Sequence, residues 1–175
     1  MDGALPQVET HMFEDDGRIP NNPELPLLVY PGALSRTDDP DSAFRAMLDE
    51  NGWGGAWRNG VFSYHHYHSI SHEVLGVVGG GARLTFGGAS GVTLEVEAGD
   101  VVVIPAGVGH KNEGSDAGFA AIGAYPRGQE SYDLRTGEEG ERPEVLENIS
   151  NVALPERDPV FGKKGPLVER WHSRS

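Results

Sequence analysis

The 175-residue chain contains no cysteine, which excludes a disulfide framework, a thiolate zinc site, an iron–sulfur cluster and a cysteine nucleophile. Lysine is scarce: Lys111, Lys163 and Lys164 stand against 11 arginines. The 14 basic residues are outnumbered by 27 acidic ones, leaving a formal charge of −13. A surface of that sign repels phosphate backbones and anionic lipid, so no nucleic acid and no membrane is expected as a partner. No run of 18 apolar residues occurs, so no transmembrane helix is expected. The first twenty residues have neither a cationic region nor an apolar stretch; the expectation is a cytoplasmic protein without a secretory leader. The sequence also lacks a Gly-x-Ser-x-Gly elbow, the usual mark of a serine hydrolase.

What the chain has in quantity is glycine, 25 residues, with 37% apolar content. That balance reads as turn-rich β structure, and the length suits one domain. Charge is unevenly spread: residues 1–60 hold 11 acids and 4 bases, 61–125 hold 6 and 2, and 126–175 hold 10 and 8. The middle third is therefore the best source of a buried core.

Pro20, Pro23 and Pro26 make the first part an extended arm leading into 27–30, an edge-strand candidate. One helix follows. Asp39 is its N-cap, Pro40 its first residue, Phe44, Met47 and Leu48 its apolar face, and Asn51-Gly52 its stop. From 61 to 125 the apolar period becomes 2. Residues 61–68, 73–78, 82–86, 92–96, 101–104 and 119–125 read as six short strands cut by glycine-rich turns, an antiparallel sandwich or barrel. Beyond 126 the chain is polar and irregular, with Val160-Phe161 and Leu167 to Trp171 as docking anchors. The resulting division is an N-terminal arm with its helix (1–56), a barrel (57–126) and a C-terminal arm (127–175).

Five of the seven histidines, His65, His66, His68, His72 and His110, fall in the strand-rich region. His66 and His68 are two apart, so strand alternation places both imidazoles on one face. Glu73 opens the next strand, and His110 follows the Pro105-x-Gly107 turn. Three imidazoles and a carboxylate converging inside a barrel suit one divalent transition metal per chain, Fe, Mn, Ni or Zn. His72 is an alternative ligand to Glu73 or a partner orienting it, although a position on the rim fits it better. His65 faces away from His66. His11 and His172 carry no signal.

These residues carry a resemblance. Gly60, His66, His68, Glu73 and Gly80 stand at the spacings of the first motif of the cupin superfamily, and Gly99, Pro105, Gly107 and His110 at those of the second. The second motif departs only at its end, where Gly114 occupies the position usually held by Asn. The segments Asn51-Gly-Trp, Trp57-Arg-Asn-Gly and Gly123-Ala-Tyr-Pro extend the resemblance to the small bacterial YjlB-like cupins. It implies an all-β chain: a single antiparallel double-stranded β-helix, the cupin jelly-roll barrel, with one short N-terminal helix and extended arms. It also implies a metal site of His66, His68, Glu73 and His110, and a homodimer.

Catalytic candidates are Glu73, Tyr125 and Arg58, with Arg83 and Gln129 as further residues able to hold a substrate carboxylate or hydroxyl. Trp53, Trp57 and Phe62 read as core or dimer packing, and Tyr64, His65 and Tyr67 as an outward face that a second subunit covers. The functions that follow are a metal-dependent enzyme on a small oxygenated molecule, dioxygenase-like or isomerase-like, or a non-catalytic barrel that binds or senses a small molecule or metal.

Overall fold

Every residue of Leu27–Tyr30 and of Val101–Ile104 is hydrophobic, and every one is buried. Strands with no polar face need cover on both sides, and the architecture supplies it. The protein is described as a computed structural model, in which residues 7–172 are placed; residues 1–6 and 173–175, the outermost parts of the two expected arms, lie outside the described residues. In chain order the strands are β1 (Glu9–His11), β2 (Leu27–Tyr30), β3 (Trp53–Asn59), β4 (Glu73–Gly79), β5 (Gly81–Phe86), β6 (Val92–Glu97), β7 (Val101–Ile104), β8 (His110–Ser115) and β9 (Ala120–Pro126). Helix α1 (Pro40–Glu50) lies between β2 and β3, and α2 (Glu144–Ser150) and α3 (Pro166–His172) follow β9.

The strands form two antiparallel sheets, one ordered β1-β2-β7-β4-β9-β3 and the other β6-β5-β8. Alternation sorts the larger sheet's side chains into two cores. Leu27, Val29, Leu75, Val102 and Ile104 meet Leu84 and Phe86 of the smaller sheet inside the barrel. Leu28, Tyr30, Val74, Val101 and Val103 form the outer core with Phe44 and Leu48 of α1 and Leu167 and Trp171 of α3. The fold is thus the all-β double-stranded β-helix of the cupins, with three short helices where one was expected.

Glycine allows two close approaches of an aromatic ring to the sheet. A Cβ on Gly76 would lie 2.4 Å from the Phe44 ring, and one on Gly123 would lie 2.2 Å from the Trp57 indole. Helix α1 forms as expected: Asp39 accepts from the Ser42 backbone N–H at 3.1 Å, Phe44 and Leu48 are buried, and Gly52 sits at φ 78° just past its end.

Four expectations need correction. Residues 61–68 make no strand; His66 bridges His110 while the adjacent Tyr67 bridges Arg135, so no ladder can extend along either partner. The 27–30 strand is not at the edge, because β1 pairs outside it. Tyr67 does not face outward: it is fully buried, with its hydroxyl donating to Glu141. The last fifty residues are not irregular throughout; α2 buries Val145 and Ile149, and α3 buries Leu167 and Trp171. Both anchors named for that arm dock: Leu167 and Trp171 are buried, Val160 packs against the outer core, and Phe161, although partly exposed, lies 5.4 Å from the Tyr30 ring.

Asp158 holds this arm down. It is fully buried; one carboxylate oxygen accepts from the Val160 and Phe161 N–H groups at 2.8 and 3.0 Å, and the other from the Leu167 N–H at 3.0 Å and from the Tyr30 hydroxyl. Truncation leaves four donors without an acceptor, two of them, the Tyr30 hydroxyl and the Leu167 N–H, fully buried. Asp158→Ala is expected to lower unfolding stability by about 2–4 kcal/mol, read from the urea midpoint; a loss below half a kcal/mol would show that the arm is held some other way.

Candidate metal centre

Strand parity builds the site. On β4, Glu73 shares the inner face with Leu75 and Val77, which belong to the barrel core. His110 is the first residue of β8 and pairs with Phe86. The loop before β4 is tied to β8 by two backbone bonds, His66 N to His110 O at 3.2 Å and His110 N to His66 O at 2.9 Å, and His68 O accepts from Gly107 N at 2.8 Å. These bonds bring His66 and His68 over Glu73.

His68, Glu73 and His110 each offer a ligand atom, and these atoms lie within 4.8 Å of one another. Nε2 of His68 is 3.3 Å from Glu73 Oε1, and Nε2 of His110 is 3.2 Å from the same oxygen. His66 stands beside the trio rather than within it. Its ring centre is 4.1 Å from that of His110, and it lines the same cavity. All four side chains are buried.

The hydrogen bonds settle which nitrogens are free. His66 Nδ1 donates to Tyr64 O at 2.9 Å, His110 Nδ1 to Val108 O at 3.2 Å, and His68 Nδ1 to Asp133 O. A carbonyl only accepts, so each Nδ1 carries the proton and each neutral ring keeps its lone pair on Nε2. Glu73 Oε1, for its part, is buried with no properly aligned hydrogen bond. Lone pairs and a carboxylate oxygen crowd around one point, an arrangement that fits a cation. The donor set of nitrogen and oxygen atoms suits a divalent transition metal.

Charge at the site follows from this crowding. Burial works against ionising Glu73, but His68 and His110 outweigh it and hold the carboxyl well below its usual range. Burial also disfavours a proton on His68; the Glu73 carboxylate outweighs that too and keeps the His68 pKa above 6.5. Burial, then the neighbouring His110 ring, pushes His66 down to about 3.

The other expected residues divide. Tyr125 belongs to the site: it is buried, its hydroxyl reaches Glu73 Oε2 at 3.3 Å, and it accepts from the Trp57 indole N–H at 2.7 Å. Burial, followed by the Glu73 charge, pushes its phenol up. Arg58 lines the cavity at its exposed rim and donates to Asp41 at 2.7 Å. Arg83 is exposed beside Glu95, and Gln129 is structural, accepting from His72 N and donating to Ala153 O, both at 2.9 Å.

His72 is not on the rim. It is 1% exposed on the opposite side from Glu73, with Nδ1 accepting from Ala106 N at 2.9 Å and its ring 4.8 Å from Trp171. Burial pushes it down to about 3. Trp53 is core, Trp57 packs against the barrel core and also lines the cavity, and Phe62 lines the cavity. Sequence reasoning missed Tyr132, Asp133 and Leu134, because nothing in an acidic, irregular stretch signals that it covers a barrel mouth. The Tyr132 ring lies 4.9 Å from His68 and stacks on Tyr125 at 4.5 Å, and the Asp133 carboxylate takes the Ser69 N–H at 2.7 Å.

The cavity over the ligand cluster measures about 460 Å³, within the range of small-molecule sites. A larger groove of about 760 Å³ between the N-terminal arm and α2 contains none of the histidines. In the metal-free protein the Glu73 carboxylate raises the affinity of His68 for a proton. Histidine NMR of chelator-treated protein should therefore show His68 titrating above pH 6.5 and His66 neutral down to about pH 3. Zn(II) should abolish the His68 titration, with uptake weakening as pH falls and protons compete for Nε2. A His68 midpoint below 6.5 would contradict the ion pair.

Comparison with known proteins agrees with the motif pattern over nearly the whole chain. The chain is 46% identical over 165 residues to the uncharacterised protein YjlB of Bacillus subtilis (strain 168), covering 94% of this chain and 97% of that protein. Pumpkin seed globulin is similar in structure at a TM-score of 0.39 and 23% identity over 56% of this chain, which spans only 28% of the globulin. The acireductone dioxygenase of Bacillus anthracis, solved with a cadmium ion in its active centre, is similar at a TM-score of 0.37 and 17% identity, covering 67% of this chain and 77% of its own. No protein-family profile matches the chain.

Proposed function

Because the chain belongs to the YjlB-like family of cupins, we propose that it is a metal-dependent enzyme acting on a small oxygenated molecule, with dioxygenation as the reaction. The observation that carries this reading is the buried convergence of His68, Glu73 and His110, with Glu73 Oε1 unsatisfied. His68, Glu73 and His110 would hold the ion, with His66 beside them as the fourth ligand. A divalent transition ion bound there supplies Lewis-acid polarisation and, as Fe(II), activation of O2.

The protein's own groups set the rest. Among the described residues lining the cavity, Glu73 is the only carboxylate, and every histidine has its Nδ1 committed to a carbonyl. With the Nε2 atoms of His66, His68 and His110 and Glu73 Oε1 taken up as ligands, no uncommitted imidazole or carboxylate is left to shuttle the proton that isomerisation or epimerisation requires. Dioxygenation places both oxygen atoms in the substrate and needs neither such a base nor a reductant. The Tyr125 hydroxyl, held by the Trp57 indole, fixes Glu73 Oε2 and leaves Oε1 for the ion. Phe62, Tyr132 and Leu134 keep bulk water from the reacting atoms.

Protein purified without chelator should carry about one transition-metal ion per chain, and the Glu73→Gln and His68→Ala variants should lose most of it. Fe(II)-reconstituted protein should then consume oxygen with a panel of enols and phenols, measured at an oxygen electrode. Absence of metal in both purified and reconstituted protein would overturn the reading. Full metal loading with no oxygen uptake would overturn the dioxygenase and favour a metal-holding binding protein.

A further inference from the structure

We propose that the occupant of the 460 Å³ cavity is a planar aromatic acid, its ring seated against Phe62 and Tyr132 and its carboxylate on Arg58. That this molecule is a substrate rests on the enzymatic reading above; that it binds rests on the cavity alone.

Eight large apolar or aromatic side chains are exposed among the described residues. Phe62, Tyr132 and Leu134 line this one cavity, and Tyr64 stacks on Phe62 at 5.1 Å and 13°. Half of the exposed apolar bulk is therefore gathered at the mouth of the metal centre, where a surface without a ligand has no reason to keep it. The rings are also placed for aromatic contact. Phe62 meets His66 edge-on at 5.2 Å, while Tyr132 meets His68 at 4.9 Å and lies nearly parallel to Tyr125. Faces and edges in such a set favour a flat π system over an aliphatic group of the same size.

Among the described residues, Arg58 is the one lysine or arginine in the cavity lining. Arg58 donates through Nη1 to Asp41 Oδ2 at 2.7 Å, and Arg45 donates to Asp41 Oδ1 at 2.7 Å. Two guanidinium groups share one carboxylate, which leaves a net positive charge at the rim of a protein whose overall charge is −13. Asp41 also fixes the direction of Arg58, whose remaining donors are open to a second carboxylate. The ligand chemistry that satisfies both halves is an aromatic ring with a single acidic group.

The test uses the whole protein in metal-loaded and chelator-treated forms, titrated calorimetrically with benzoate, cyclohexanecarboxylate and benzyl alcohol. Benzoate should bind roughly fivefold or more tightly than cyclohexanecarboxylate, a preference of the size of one aromatic contact. The doubly substituted Phe62→Leu, Tyr132→Leu protein should lose that preference while its metal content is unchanged. Arg58→Gln should weaken benzoate and leave benzyl alcohol as before. All three positions are exposed, so folding is not at issue, and circular dichroism checks it. Equal binding of the two carboxylates, an unchanged preference in the leucine variant, or no binding by either form would overturn the proposal. A protein that takes no metal but still prefers benzoate would sink the enzymatic reading and leave this inference standing. One full of metal without a ring preference would do the reverse.

Discussion

A carboxylate oxygen without a properly aligned hydrogen bond, buried at the base of a cavity beside three imidazoles, is the constraint on which the rest of the structure turns. Burying an isolated carboxylate costs several kcal/mol unless a cation or donors meet it. Neutral imidazoles at ordinary tautomeric freedom could each turn an N–H toward Glu73. Here they do not, because the Tyr64, Val108 and Asp133 carbonyls claim all three Nδ1 protons. Those carbonyls come from the loop before β4, the turn before β8 and the C-terminal arm. Three separate stretches of backbone thus spend their acceptors on keeping three lone pairs free.

The C-terminal arm is accordingly part of the site. Asp133 orients His68 through its carbonyl and holds the Ser69 N–H through its carboxylate. Arg135 pairs with the Tyr67 backbone in both directions, at 2.9 and 3.0 Å, and Asn148 of α2 reaches Ser69 Oγ at 3.1 Å. The 61–72 segment can dispense with strand pairing because this arm takes up its backbone and side-chain groups instead. Asp158 and Trp171 then fasten the arm's far end to the outer core. A chain truncated after β9 would leave His68 without the acceptor that fixes its ring.

How much of this was readable before the structure follows from what each residue signals. The apolar alternation of β4, β5, β6 and β7 and the caps of α1 were plain, because their side chains pay for burial locally. Strand β8, His-Lys-Asn-Glu-Gly-Ser, was invisible: its outer face is solvated, so only His110 at its start is fully buried. Strand β3 was hidden by Gly54 and Gly55, which mark a register shift in its ladder with β9. The four motif residues could be named from spacing and resemblance, yet not the reason they are aimed, which lies in carbonyls that every residue has. Tyr67 was misplaced by extending strand alternation into a segment that forms no strand. Tyr132 and Leu134 gave no signal at all, since an aromatic in a polar stretch reads alike whether it covers a cavity or faces water.

Adjacent residues at the start of β4 show how finely the site depends on register. Glu73 points into the barrel, while His72, one position earlier, points into the outer core and takes the Ala106 N–H. A slip of one residue would exchange them, placing a carboxylate against Trp171 and breaking the ligand cluster. Strand β4 is protected from that slip by pairing on both sides, with β7 through Glu73 to Gly76 and with β9 through Val74 to Gly79. The Phe44 ring adds a lock from outside the sheet, since it fits only over a residue with no side chain, and Gly76 is that residue. Helix α1, far from the histidines in sequence, therefore helps decide which of two neighbouring residues faces the ligand cluster.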